Sequence, residues 1–162
     1  MATHPTTDNL RVRLERRPDG QSGAIRVIVE NNHPSQVMTL LRWDTPLDIS
    51  CFRTGTLRMV DAASGKIVQG PGIKIIRKLP PSREDIIEIR AKGNVEQEFE
   101  LNESWMPTDG RSVSISARGS WRAAWPKTKA EVTTEDLEAM TGAGAMQGTF
   151  VSEADVELKL HR

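Results

Sequence analysis

The sequence predicts an all-β protein: an antiparallel β-sandwich of roughly seven to nine strands with one short helix in its C-terminal region. Three observations predict it. Apolar and polar residues alternate with period two in segment after segment. Turn chemistry built on Pro, Gly, Asn and Asp separates those segments at intervals of about 8–12 residues. Only one stretch carries the capping signature of a helix.

The elements follow in order. Leu10, Val12 and Leu14 alternate with Arg11, Arg13 and Glu15, a half-buried strand. Pro18-Asp19-Gly20 is a turn, and Ile25, Val27 and Val29 form one face of the next strand. Asn31-Asn32-His33-Pro34 ends it before a strand over 37–41. Leu57 and Met59 alternate within 57–61, Ala62-Ala63-Ser64-Gly65 turns, and strands are expected at 66–68, 73–77, 86–91 and 95–101. Val113, Ile115 and Ala117 alternate with Ser112, Ser114 and Ser116, the clearest strand in the chain, and 155–160 repeats the pattern. Thr133 as N-cap, Glu135 and Asp136 in the first turn and Gly142 beyond Met140 predict a helix of about two turns. One polar face per strand implies antiparallel pairing, since parallel sheets bury both faces.

The chain has 162 residues, 37% hydrophobic and 27% charged, which suits one globular domain with its own core. Residues 1–9 read as a flexible tail, 10–162 as the domain, and 119–148 as a loop and short-helix extension. Lys+Arg and Asp+Glu balance at 22 each, so no basic excess favours nucleic acid or an anionic membrane. No apolar run nears the ~20 residues of a membrane span. Met1 to Asn9 lacks the cationic and apolar regions of a secretory leader, and Cys51 is the single cysteine. These features predict a reducing, cytoplasmic setting.

Motifs that carry chemistry are sparse. His4, His33 and His161 are scattered and Cys51 is alone, so no His/Cys cluster for a metal and no cofactor site is expected. Asp44, Asp48 and Asp61 lack the spacing of a calcium loop. Cys51, between Ile49 and Phe52, reads as a small buried side chain and not a nucleophile. Gly70-Pro71-Gly72 is a turn, because no Gly-Lys-Ser/Thr follows. Glu84-Asp85 and Glu135-Asp136 suit turn and helix-start positions. Lys74, Arg77, Lys78 and Arg83 surround Pro80-Pro81 and read as charge and proline protecting an edge strand.

Four tryptophans without a tyrosine are the most informative residues. Trp43 sits where a strand passes into a loop, Trp105 lies in another loop, and Trp121 and Trp125 are four apart beside Arg118 and Arg122. Loop tryptophans with arginine neighbours are the composition of protein interfaces and ligand platforms, whereas a core short of aromatics would use the same rings as plugs. Trp43, Trp105, Arg118, Trp121, Arg122 and Trp125 are therefore the candidate binding residues, with the Trp121/Trp125 pair as the foremost contact surface.

From Asn31 to about Gly119 the order of features resembles the N-terminal propeptide-like domain of fungal deuterolysin-type (aspzincin) and peptidyl-Lys metalloendopeptidases. The resemblance rests on Asn31-Asn32, Leu40-Leu41 leading to Thr45-Pro46-Leu47-Asp48, Phe52, Asp61 and Gly65, Gly72-Ile73-Lys74 with Arg77-Lys78, and Trp105 ahead of Val113 to Ala117. It implies a small immunoglobulin-like sandwich and a fungal source. The zinc domain of those proteases is built on His-Glu-x-x-His, which this chain lacks, so no protease activity is implied. The function expected is a non-catalytic protein-interaction domain, a regulator or inhibitor in the manner of a propeptide. The alternative is a small-ligand or carbohydrate-binding module using the loop tryptophans. A protein partner and a homodimer through an edge strand are expected; nucleic acid and membrane are not.

Overall fold

The computed structural model describes residues 4–17, 23–70, 75–142 and 144–161. Its strands are β1 (Leu10–Arg16), β2 (Ala24–Asn31), β3 (Met38–Leu41), β4 (Leu57–Asp61), β5 (Ile86–Ile89), β6 (Asn94–Glu100), β7 (Asp109–Trp125), β8 (Met146–Val151) and β9 (Val156–His161), with one helix, α1 (Thr134–Ala139). They form two antiparallel sheets, β1-β2-β6 and a six-stranded sheet in which β4, β3, β8 and β9 all pair with β7 and β5 pairs with β3. The turn expected at Pro18-Asp19-Gly20 lies outside the described residues, as do Gly72 and the first half of the strand expected at 73–77. Residues 75–77 form no strand, and of 66–68 only Ile67 makes a β-bridge, to Val60.

β7 is the spine of the larger sheet. Val113 is paired with Asp61 on one side and Leu158 on the other, and Ala124 with Leu40 and Met146. Along its second side β8 and β9 act as one interrupted strand, since Arg118 pairs with Val151 and Ile115 with Val156. Ser152 fills the interruption, its N–H donating to Ala117 O at 2.8 Å and its Oγ accepting from Ala117 N at 3.1 Å. Glu153 N–H then donates to Val12 O at 3.0 Å, joining the two sheets at this edge.

Inward residues of both sheets make the main core: Val12, Ile25, Val27, Val29, Met38, Leu40, Met59, Val113, Ile115, Trp121 and Leu158 are all buried. Burial of this apolar surface is the dominant favourable term in folding. β2 departs from simple alternation because Ile28 is buried as well. On the outer face its register neighbours are Arg13 and Glu96. Arg13 is ion-paired to Glu30 at 2.8 Å, while Arg26 joins Glu15, Glu96 and Glu98. The stems of such long charged side chains can cover apolar surface while their heads stay wet.

Residues 119–125, expected as loop, are the second half of β7, and β8 follows in what was expected to be loop extension. The register of β7 against β8 shifts between Trp121 and Ala124, a β-bulge. In an unbroken strand a spacing of four keeps two residues on one face. Here the bulge puts Trp121 and Ala124 in the main core and turns Ala123 and Trp125 to a second cluster with Leu41, Trp43, Ile86, Val132 and Leu137. Residues 126–140 cover that second face, which is why all of β3 is buried. The segment is built from two short turns, each closed by a reciprocal capping box: Thr128 with Glu131, and Thr133 with Asp136 at the start of α1. The helix and its threonine cap agree with the sequence expectation.

Residues 7–9, expected within the flexible tail, form a 3-10 turn capped by Thr6. Thr7 is buried against Gly148, where an added Cβ would lie 2.1 Å from Thr7 Oγ1. β8 thus needs glycine here to admit the turn.

Two outcomes are expected. Trp121→Ala should cost about 3–5 kcal/mol in chemical denaturation, because the ring is 1% exposed and packs on Phe150 with centroids 4.5 Å apart. Asp136 is held below its ordinary value of 3.8 first by the Lys127 ammonium and then by the Thr133 N–H. A depressed folded pKa gives stability that is present above the unfolded value and lost as pH falls through the folded one. The stability gap between wild type and Asp136→Asn should therefore be open near neutral pH and shrink as pH falls below the ordinary carboxylate range.

Candidate functional site

The chain between β3 and β4 is a series of tight turns that concentrates polar groups at one end of the sandwich. Thr45 Oγ1 donates to Arg42 O at 2.7 Å and accepts from Leu47 N at 3.2 Å. Asp44 adopts φ 61°, the left-handed region that aspartate tolerates better than most residues. The Asp48 carboxylate accepts from Asp44 N, Ser50 N and Arg77, the last at 2.5 Å. Arg77 also donates to Asp44 at 3.0 Å, and Asp44 accepts from Arg122 at 3.2 Å through its other oxygen. Both guanidiniums lie 5.5 Å from the centroid of the Trp43 ring, within cation–π range.

This arrangement corrects several expectations. Trp43, Trp121 and Trp125 are 5%, 1% and 1% exposed, so they plug the core and offer no contact surface. Trp121 and Trp125 could not form a joint platform in any case, since the bulge sends them to different clusters. Arg122 is brought to Trp43, as a clamp on a buried ring. Arg118 is exposed on β7. The Asp44, Asp48 and Asp61 oxygens already accept from arginine and backbone donors, with Asp61 taking Ala63 N, Ser64 N and Arg111. The basic run does not protect an edge strand: Arg77 anchors its segment to Asp48, and Arg83 donates to Val132 O at 2.7 Å. Lys74 lies outside the described residues.

Cys51 is fully buried, as expected, and burial followed by the nearby Asp48 charge pushes its thiol far above the ordinary range. Thiolate chemistry is thereby suppressed. His33 is also buried, its Nδ1 accepting from Ser35 N and Gln36 N. Among the described residues no three His, Cys, Asp or Glu side chains group closely enough to hold a metal.

Trp105 alone of the four is half-buried, and it borders an open groove of about 440 Å³. Phe52 meets both Trp105 and Phe99 edge-on, with centroids 6.2 and 6.1 Å apart. Ile67, Val68, Arg53 and Arg58 also line the groove, and among the described residues no carboxylate does. Gly70 lies against the indole so closely that a Cβ there would meet Trp105 Cε2 at 2.7 Å. Among the described residues neither Arg53 nor Arg58 has an ion-pair or hydrogen-bond partner for its side chain. A second hollow of about 550 Å³ runs past Arg122, Met140, Gln147 and Trp121, but its one cation is already committed to Asp44 and Trp43. The first groove therefore holds the uncommitted chemistry. Sequence reading found Trp105 but not Phe52, Arg53 or Arg58. They gather only because the 51–56 turn folds back beside β4, where Leu57 N–H donates to Cys51 O.

Two antiparallel sheets packed face to face around the main core, with β7 as the spine of the larger one, define an immunoglobulin-like sandwich. A profile of an immunoglobulin-like domain family matches residues 9–160, and the chain belongs to that family. It is also 31% identical over 133 residues to an uncharacterized secreted protein of Arthroderma benhamiae, a match covering 80% of this chain and 66% of that one. Neither similarity names a catalytic family. The secreted relative overturns the cytoplasmic setting expected above. The physical reason is that a lone cysteine marks the compartment only in domains too small to hold themselves together by packing. This one buries an extensive core without a disulfide.

Asp48 has a side chain only 6% exposed, so deleting its cation leaves a charge in poor solvent. Arg77→Ala should cost about 3 kcal/mol or less, the lower end of the range for broken buried pairs, because Arg77 itself is partly wet. The paired Arg77→Ala/Asp48→Asn double variant should recover part of the loss in a denaturation cycle.

Proposed function

We propose that this protein is an extracellular, non-catalytic binding domain whose contact site is the Trp105 groove, and that its partner is an acidic segment of another protein anchored by an aromatic or aliphatic side chain. The observation that carries the reading is the pairing of aromatic and aliphatic lining with two arginines that have no side-chain partner among the described residues. An apolar anchor gains by leaving water on the Phe52 and Trp105 side. A neighbouring carboxylate gains charge-assisted hydrogen bonds from Arg53 or Arg58. Aromatic residues and arginine are also the types most enriched where binding energy concentrates.

A carbohydrate platform is less well supported. Sugar stacking needs an open indole face, and Gly70 already lies against this one. Self-association along the open β6 edge is disfavoured too. It would bring Glu96, Glu98 and Glu100 of one copy against the same row of another. The likeness to protease propeptides supplies one concrete partner class, a secreted zinc endopeptidase inhibited without being cleaved. The extracellular setting is supported by the secreted relative.

The test is a titration of the whole chain with acidic peptides carrying one aromatic residue, followed by calorimetry. Binding should weaken at least tenfold in Arg53→Ala/Arg58→Ala and in Trp105→Ala, and when the peptide carboxylates are amidated. Equal affinity for the amidated peptides would sink the electrostatic half of the reading. Absence of binding to any peptide would sink the whole.

A further inference from the structure

The loop between β6 and β7 contains Asn102-Glu103-Ser104, and of the chain's five asparagines only Asn102 is followed at this spacing by Ser or Thr without an intervening proline. Asn-x-Ser/Thr is the acceptor pattern for N-linked glycans, meaningful only where a chain passes through the secretory route. We infer that Asn102 is an N-glycosylation site; the inference rests on the extracellular part of the reading above and not on the groove.

The fold treats this asparagine unlike the others. Asn31 is fully buried and donates to Gln36 O and Ile89 O. Asn9 closes the 3-10 turn and bonds Asn32, and Asn94 belongs to β6. Asn102, Glu103 and Ser104 are all exposed and outside any strand or helix. Among the described residues no hydrogen bond holds the Asn102 amide or the Ser104 hydroxyl. The loop is pinned on both sides of the triplet by Leu101 and Met106, 6% and 4% exposed. A glycan here would point into solvent and displace no core side chain. Because the amide is uncommitted, attaching a sugar costs no internal hydrogen bond.

The transfer balances with a lipid-pyrophosphate-linked oligosaccharide as donor. Asn102 Nδ2 attacks the anomeric carbon, the C1–O bond to pyrophosphate breaks, and the C1–Nδ2 bond forms. Nδ2 gives up one proton to a base, the lipid pyrophosphate leaves, and nothing is oxidised or reduced. Ser104 Oγ takes part in acceptor recognition, a task threonine performs as well.

Two measurements separate this inference from the reading it rests on. The full-length natural protein, epitope-tagged in the cells it comes from, is followed by its partition between medium and lysate, which tests the extracellular setting. In parallel the chain is sent through a yeast secretory pathway behind a cleavable leader, and its intact mass is read before and after an N-glycan endoglycosidase. A single glycosidase-sensitive mass step is expected, lost in Asn102→Gln and in Ser104→Ala and retained in Ser104→Thr. An unmodified product from folded, secreted chain overturns the glycosylation site whatever the partition shows. A step that persists in Asn102→Gln does so too. Tagged protein found only in the lysate overturns the extracellular reading and with it the natural occurrence of this modification.

Discussion

The β-bulge in β7 is the constraint on which the rest of this structure depends. A 17-residue strand is long enough to serve both ends of the sandwich, pairing with β4 and β9 near its start and with β3 and β8 near its end. One extra residue between Trp121 and Ala124 reverses which side faces the main core. Trp121 stays with the sheet-to-sheet core, and Trp125 becomes the centre of a second cluster on the far face. Segment 126–140 then has a purpose: it covers apolar surface that the bulge created. Its capping boxes satisfy the backbone donors that such short turns would otherwise leave open.

Arginine does much of the remaining work, in two distinct ways. At the loop end of the sandwich, Arg77 and Arg122 both lie over Trp43 and share Asp44, tying residue 77's segment to the 42–48 turns. A planar, always-charged guanidinium can stack and form directed hydrogen bonds at once, which lysine cannot. On the outer face of the three-stranded sheet, Arg17 and Arg26 bridge the glutamates of neighbouring strands. Exposed pairs of that kind contribute little each. Beside Ile28 the register neighbours are Arg13 and Glu96, whose long stems can cover its apolar surface.

Among the described residues Arg53 and Arg58 share with Arg16, Arg90 and Arg118 a side chain without a hydrogen-bond or ion-pair partner, but only these two line the Trp105 groove. The groove they flank is floored by core residues, since Phe52, Val68 and Trp105 pack against the main cluster, whereas the Asn102 triplet is exposed outside it. Stability is invested in β7 and its clusters, and the binding role proposed above would fall to the turn beside β4 and the loop between β6 and β7.

Most of the fold was legible in the sequence, because period-two alternation at Leu10 to Leu14, Val113 to Ala117 and Val156 to Leu160 directly reflects which side chains leave water. The helix at Thr133 was legible because capping is a local interaction. The strand that carries Trp121 and Trp125 was not, since residues 119–148 read as a loop and short-helix extension. Yet the odd-numbered series Val113, Ile115, Ala117 and Trp121 continued inward, a signal that an unbroken reading of β7 would have found. The Trp125 face could not have been found this way, because a bulge is decided by pairing with β8 and leaves no periodic mark. Nor could the groove, whose arginines, Phe52 and Trp105 come from separate turns. The sequence by itself determined that this is an antiparallel sandwich without a local catalytic or metal-binding motif, since those follow from periodicity and residue type. Only the tertiary structure decided which aromatic rings are spent on the core and which one stays at the surface, because burial depends on what packs against a residue from elsewhere in the chain.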